Sequence, residues 1–103
     1  MNEYRFIGIV QETPTIVESE KGNKYCNIFL DVKKPFTNAE GKNEKDSFKI
    51  TCFRQTAEET CKTIKKGDQI IVRGRIQQNN YFKDDNKLVY LPELIGERIE
   101  IIN

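Results

Sequence analysis

Residues 56–81, TAEETCKTIKKGDQIIVRGRIQQNNY, constrain the fold more tightly than any other part of the chain, because their hydrophobic period changes part-way through. Ala57, Cys61 and Ile64 recur at helical spacing, with Glu58, Lys62, Lys65 and Lys66 left to solvent, which predicts one short amphipathic helix. Thr56 followed three residues later by Glu59 has the form of a capping box, in which each side chain satisfies a free backbone N–H. Gly67 stands where a glycine in the left-handed region would stop the helix, and the lysines before it suit the negative end of a helix dipole. From residue 69 the period becomes two. Ile70, Val72, Gly74 and Ile76 alternate with Ile71, Arg73, Arg75, Gln77 and Asn79, the signature of a half-buried strand. Its polar side, continued by Tyr81, is either a solvated antiparallel face or a surface for something anionic and flat. Spacing does not separate the two.

Strand patterns also cover residues 4–11, 15–18, 24–33, 46–54 and 88–102, separated by turn-rich pieces around Gly22, around Gly41 and at 83–87. Pro14, Pro35 and Pro92 fall near segment ends or irregularities, where a missing N–H is tolerated. A length of 103 residues predicts a single domain over residues 1–103 with one modest core. One helix between the third and fourth of about five antiparallel strands is the element order of an OB-fold. The fold class expected is therefore all-β with one short helix, a five-stranded Greek-key β-barrel.

Strand faces follow from the alternation. In residues 24–33, Cys26, Ile28, Leu30 and Val32 share one side, and Tyr25, Asn27, Phe29, Asp31 and Lys33 share the other. The all-apolar side belongs to the core. In residues 47–53, Phe48, Ile50 and Cys52 turn inward, against Ser47, Lys49, Thr51 and Phe53 outward. Phe36 follows Lys33 and Lys34 as the chain enters the Gly41 loop. Phe36, Phe53 and Tyr81 thus lie on polar faces or loop edges, and Lys33, Lys34, Lys49, Arg54, Arg73 and Arg75 are the cations nearest them. That combination suits a single-stranded nucleic acid, whose bases stack on aromatic rings at ~1–3 kcal/mol each while cations follow the phosphates. Packing under a loop or in a subunit interface is the other reading of Phe36 and Phe53. Tyr4 and Phe6, alternating with Arg5 and Ile7, and the outward Ile71 are candidate subunit contacts.

Other chemistries lack their parts. Cys26, Cys52 and Cys61 have no metal-ligand spacing, and histidine is absent, so the cysteines read as small buried hydrophobes kept reduced in the cytoplasm. No Ser–His or Cys–His pair and no phosphate-binding glycine motif is present. No catalytic residue, metal or cofactor is expected. Asp84 and Asp85 are adjacent at a predicted hairpin tip, which reads as turn chemistry; metal catalysis by an OB-fold nuclease would need converging ligands. No apolar run nears the ~20 residues of a membrane span, and no signal peptide is visible at the start. The net charge of +1 allows a basic face balanced by an acidic one.

The chain resembles the bacterial or phage-type single-stranded DNA-binding proteins along nearly its whole length. The resemblance rests on IGIVQETPT near the start, on IKKGDQIIVRGRIQQNNY with KKG, Gly74 and Tyr81 in register, and on VYLPELIGERIEII at the end. It implies an OB-fold that assembles as a homotetramer, coats single-stranded DNA in replication, recombination or repair, and stacks bases on Phe36, Phe53 and Tyr81. A further aromatic site falls on Ser47, and Gln77, Gln78, Asn79 and Asn80 replace the basic residues usual before the hairpin aromatic. Both departures imply a weaker or re-routed contact. The flexible linker and acidic tip through which such proteins recruit replication or repair enzymes would follow the last strand, yet the sequence ends at Asn103. Either it was cut there or this is a short member. The alternative is a primosomal-replication-protein-like interaction module, often dimeric, with weak affinity for single strands.

Overall fold

Alternation along the longer strands turns into a closed sheet because each has one apolar side to hide. The computed structural model describes residues 1–102. Its elements are β1 (Tyr4–Val10), β2 (Val17–Glu18), β3 (Lys24–Thr37), β4 (Asn43–Phe53), α1 (Arg54–Thr63), β5 (Gln69–Gln78), β6 (Tyr81–Phe82), β7 (Leu88–Val89) and β8 (Pro92–Ile101). The main sheet runs β1-β5-β8-β4-β3-β2, and β1 also pairs with β3, closing β1, β5, β8, β4 and β3 into a barrel. β1 does this by splitting its length. Tyr4 to Ile9 pair with Gly74 to Gln69 of β5, and Ile9 and Val10 with Asp31 and Leu30 of β3. One seam departs from the expected antiparallel arrangement: β4 and β8 run parallel where Ile50 meets Leu94 and Thr51 meets Ile95. The barrel and the helix between its third and fourth strands are those of an OB-fold.

The core is the inward set. Val10, Cys26, Ile28, Leu30, Ile50, Cys52, Ile70 and Val72 are all buried, and Ala57 and Ile64 add the face of α1 that covers one end of the barrel. Thr60 is buried on the same helical face. Cys26 and Cys52 are cross-strand partners beneath it. β5 and β8 slip register between Arg73 and Gly74. A Cβ at Gly74 would lie 1.7 Å from the Ile95 carbonyl oxygen, so only glycine fits this approach.

α1 starts and stops earlier than its sequence suggested. Phe53 is the N-cap, with no side-chain capping bond, and the helix begins at Arg54. Arg54 itself has φ 53°, which turns the chain sharply out of β4. Thr56 therefore lies within the first turn, and Glu59 accepts from Gln55 Nε2 at 3.2 Å instead of capping. At the other end Ile64 is the extended C-cap, and its N–H reaches the Thr60 carbonyl at 2.9 Å. Gly67, at φ 90°, serves a separate turn in which Asp68 N–H donates to the Lys65 carbonyl at 3.1 Å. The helix ends where burying Ile64 outweighs another turn.

Strand boundaries differ where tertiary pairing adds to local pattern. β3 and β4 run into a long ribbon reaching Thr37 and Asn43, with an irregularity between Lys33 and Thr37. Residues 69–81 do not form one strand. β5 ends at Gln78, Asn79 N–H donates to the Leu91 carbonyl at 2.8 Å, and Tyr81 joins a second hairpin formed by β6 and β7. Residues 88–102 break in the same place. Ile76 is 41% exposed where an inward position was expected. Tyr4 and Phe6 are not surface contacts: Tyr4 is buried, and Phe6 stacks on Phe48 with centroids 4.4 Å apart. Ile7 and Ile9 hold the outward positions of β1.

Candidate nucleic-acid interface

The outer surface of β3 and β4 is a ladder of cross-strand pairs whose Cβ atoms stand ~5 Å apart. Its pairs are Tyr25 with Phe53, Asn27 with Thr51, Phe29 with Lys49, Asp31 with Ser47 and Lys33 with Lys45. Two polar pairs are tied internally. Thr51 Oγ1 donates to Asn27 Oδ1 at 2.9 Å, and Gln11 Nε2 donates to Ser47 Oγ at 2.7 Å and also to Asp31 Oδ1. The aromatic and cationic members are open: Phe53 is 41% and Phe29 36% exposed. The side-chain ammonium groups of Lys33, Lys45 and Lys49 make no hydrogen bond or ion pair among the described residues. Directly opposed like charges repel, so Lys33 and Lys45 together favour an anion between them.

Phe53 ends β4 and forms one wall of a groove of about 510 Å³ with Ser19, Asn23, Lys24, Tyr25 and Arg54. Arg54, with its left-handed backbone, follows Phe53 directly and lines the same groove. Phe36 lies on the ribbon part of β3, 62% exposed, beside the Asn43 side chain, whose Nδ2 donates to the Lys34 carbonyl at 3.1 Å. Lys34 is ion-paired to Asp46 at 3.1 Å. Phosphate would have to compete with that carboxylate.

The candidate cations on β5 are separated from this surface. β5 lies between β1 and β8 in the barrel, and neither neighbour is β3 or β4. Arg73 pairs in register with Arg5 and Arg98 and shares a shallow hollow of about 250 Å³ with Arg5, Ile71, Arg98 and Glu100. Arg75 donates to Gln77 Oε1 at 2.8 Å and lies 3.7 Å from Glu97. The structure thus brings Phe36, Phe53, Lys33, Lys34 and Lys49 onto the β3–β4 pair, sets Arg54 next to Phe53 at the start of α1, and leaves Arg73 and Arg75 on another side of the barrel. Tyr81 stands apart from both, 49% exposed on the β6–β7 hairpin.

Tyr25, Phe29 and Lys45 share this outward face but are not among the candidates drawn from the sequence. Alternation had already put Tyr25 and Phe29 on the polar side of their strand, and that aromatic pair was the available signal. Lys45 lay before the expected start of its strand. Phe82 and Tyr90, 71% and 68% exposed, gain their positions only from the break at residues 79–80.

Nothing in the ladder prepares a reaction. Among the described residues no group of three or more His, Cys, Asp or Glu is placed to hold a metal ion. Asp85 Oδ1 accepts from the Lys87 backbone at 3.2 Å, which is turn chemistry. Cys26 is pushed up by its hydrogen bond with Cys52 and by burial, and burial raises Cys61 to about 11, so neither is a ready thiolate nucleophile. Among the described residues no helix is long and apolar enough to cross a membrane.

Residues 1–102 match the single-strand binding protein family. The chain is 33% identical over 103 residues to single-stranded DNA-binding protein 1 of Clostridium acetobutylicum, covering 99% of this chain and 94% of that protein. It is 30% identical over 102 residues to single-stranded DNA-binding protein 3 of Listeria innocua, of which it spans 64%. It is equally similar, at 30% over 102 residues, to single-stranded DNA-binding protein 1 of Staphylococcus aureus strain Mu50, of which it spans 65%.

Proposed function

Because the chain belongs to the single-strand binding protein family, we propose that it binds single-stranded DNA without regard to sequence, as a coating protein in replication, recombination or repair. It is a binding protein and not an enzyme. The observation that carries this reading is the uncovered β3–β4 ladder, where Phe53 stands near one end and the unpaired Lys33, Lys45 and Lys49 follow toward Phe36. A single strand laid along it meets rings for its bases and ammonium groups for its phosphates. Phe36, Phe53 and Tyr81 act as stacking residues, and Lys33, Lys34, Lys49 and Arg54 as phosphate contacts. Arg73 and Arg75 are left out of this path.

The chain works as an oligomer, a homotetramer by family resemblance. Ile7 and Ile9, 52% and 40% exposed on the outer side of β1, support a contact there, together with the neighbouring Ile71. Three thiols without a disulfide suit the cytoplasm.

The test is a fluorescence-anisotropy titration of labelled oligo-dT at low and high salt, with duplex of equal length as control. The expected result is binding selective for the single strand, with a log–log salt slope of about −0.7 per phosphate neutralised. Equal affinity for duplex, or indifference to salt, overturns the proposal. No binding at low salt would move the role to a protein partner.

A further inference from the structure

We infer that Phe29 is a base-stacking residue, and that Lys49 opposite it takes the phosphate of the same stretch of strand. The inference rests on the single-strand reading above and assigns a contact that reading did not include.

Phe29 sits near the middle of the part of β3 that packs on the barrel, on its outward side, with 36% of its surface exposed. No intramolecular ring uses its face. Among the described residues the ring pairs are Tyr4 with Phe6 and Phe6 with Phe48, both on the inward side. Its neighbours on the ladder are small or short: Asn27 and Asp31 on its own strand, Ser47 and Thr51 diagonally across. Their hydrogen bonds are directed among themselves and to Gln11. Their polar atoms are thus already engaged with one another, while 36% of the Phe29 surface stays open to a base.

Lys49 completes the site. It is directly opposite Phe29 in the register, and no carboxylate holds it. Ordinary strand propensity explains an aromatic residue on β3, but it does not explain why a ring and an unpaired ammonium share an otherwise self-satisfied patch. The position also gives the path continuity. Phe29 is four residues from Tyr25, the register partner of Phe53, or about 13 Å along the strand. A base on Phe29 thus fills the gap between a base on Phe53 and the lysine pair at 33 and 45.

The absence of tryptophan from the chain makes the test direct. Phe29→Trp introduces the only indole, and Lys62→Trp, on the exposed side of α1, serves as control. On titration with oligo-dT, emission from the residue-29 indole should be quenched to saturation, while the control is unchanged. Phe29→Leu, which keeps an apolar strand residue, should retain wild-type unfolding behaviour and lose about tenfold in affinity with an unaltered salt slope. Wild-type affinity in Phe29→Leu, or an unquenched indole at saturation, overturns the role of Phe29 while leaving single-strand binding intact. If the wild-type protein fails to bind oligo-dT, the underlying reading fails and this inference falls with it. The two failures are read from different proteins.

Discussion

Tyr4 Oη donates a 2.8 Å hydrogen bond to the Ile95 carbonyl, buried inside the barrel and spanning from β1 to β8. It passes over Gly74 on the intervening strand, where an added Cβ would lie 1.7 Å from the same carbonyl oxygen and 3.0 Å from Tyr4 Oη. The β5–β8 register slips at this point, and the phenol supplies a donor to the displaced backbone. Tyr4→Phe should cost about 1 kcal/mol, the worth of one net hydrogen bond. Gly74→Ala should cost more, about 3 kcal/mol, because backbone atoms cannot rotate away from the new methyl group. Urea unfolding measures both as a lower midpoint at unchanged slope.

The same phenol makes stability fall in alkali. Burial, then the nearby Cys52 and Glu97, push the Tyr4 hydroxyl well above its ordinary value. The unfolded chain ionises near the usual tyrosine pKa of about 10, while the fold retains the proton. Above that pH the unfolded state binds fewer protons than the native one, so stability decreases as pH rises. The contribution is complete below about pH 10. Tyr4→Phe should therefore be the less stable protein at neutral pH, yet lose less stability on entering alkali. Parallel pH profiles for the two proteins would show that Tyr4 is not the group responsible.

Thiol accessibility reports on the other end of the core. Cys26 and Cys52 are fully buried, whereas Cys61 is half-buried on α1. In the folded protein a thiol reagent should label Cys61 first and slowly, since burial raises its thiol to about 11 and leaves little thiolate at neutral pH. All three should react promptly in urea. Prompt labelling of all three under native conditions would mean that α1 lifts from the barrel.

The sequence was most legible where local pattern and tertiary demand coincide. Cys26, Ile28 and Leu30 alternate strictly and are all inside, because the closed barrel gives one side of β3 to the core along this stretch. Legibility failed where a tertiary contact decides. Thr56 and Glu59 have the spacing of a cap, but the left-handed turn at Arg54 had already started the helix. Tyr81 follows Asn79 in alternation, yet Leu91 and Asn80 bond across the break and rotate the hairpin out of β5's line. Phe29 had the right side and the right chemistry. It stood out only when register placed it opposite an unpaired lysine.

Three substitutions on two faces test the proposed strand path. Phe53 is uncharged and exposed at the groove, so Phe53→Ala should weaken oligo-dT binding by ~1–3 kcal/mol without changing the salt slope. Lys49 is an unpaired cation on the same face, so Lys49→Gln should weaken binding and reduce the slope by about 0.7, one phosphate's share. Arg73 faces Arg5, Arg98 and Glu100 on another side of the barrel. Arg73→Gln should leave both affinity and slope near wild type, although it adjoins the apolar residues assigned to self-association. Sedimentation of the three variants checks that the assembly is unchanged, since a dissociated oligomer would lower affinity for a different reason. A loss of slope in Arg73→Gln equal to that of Lys49→Gln, in an intact oligomer, would mean that the strand also crosses β5. The β3–β4 ladder would then be only part of its path.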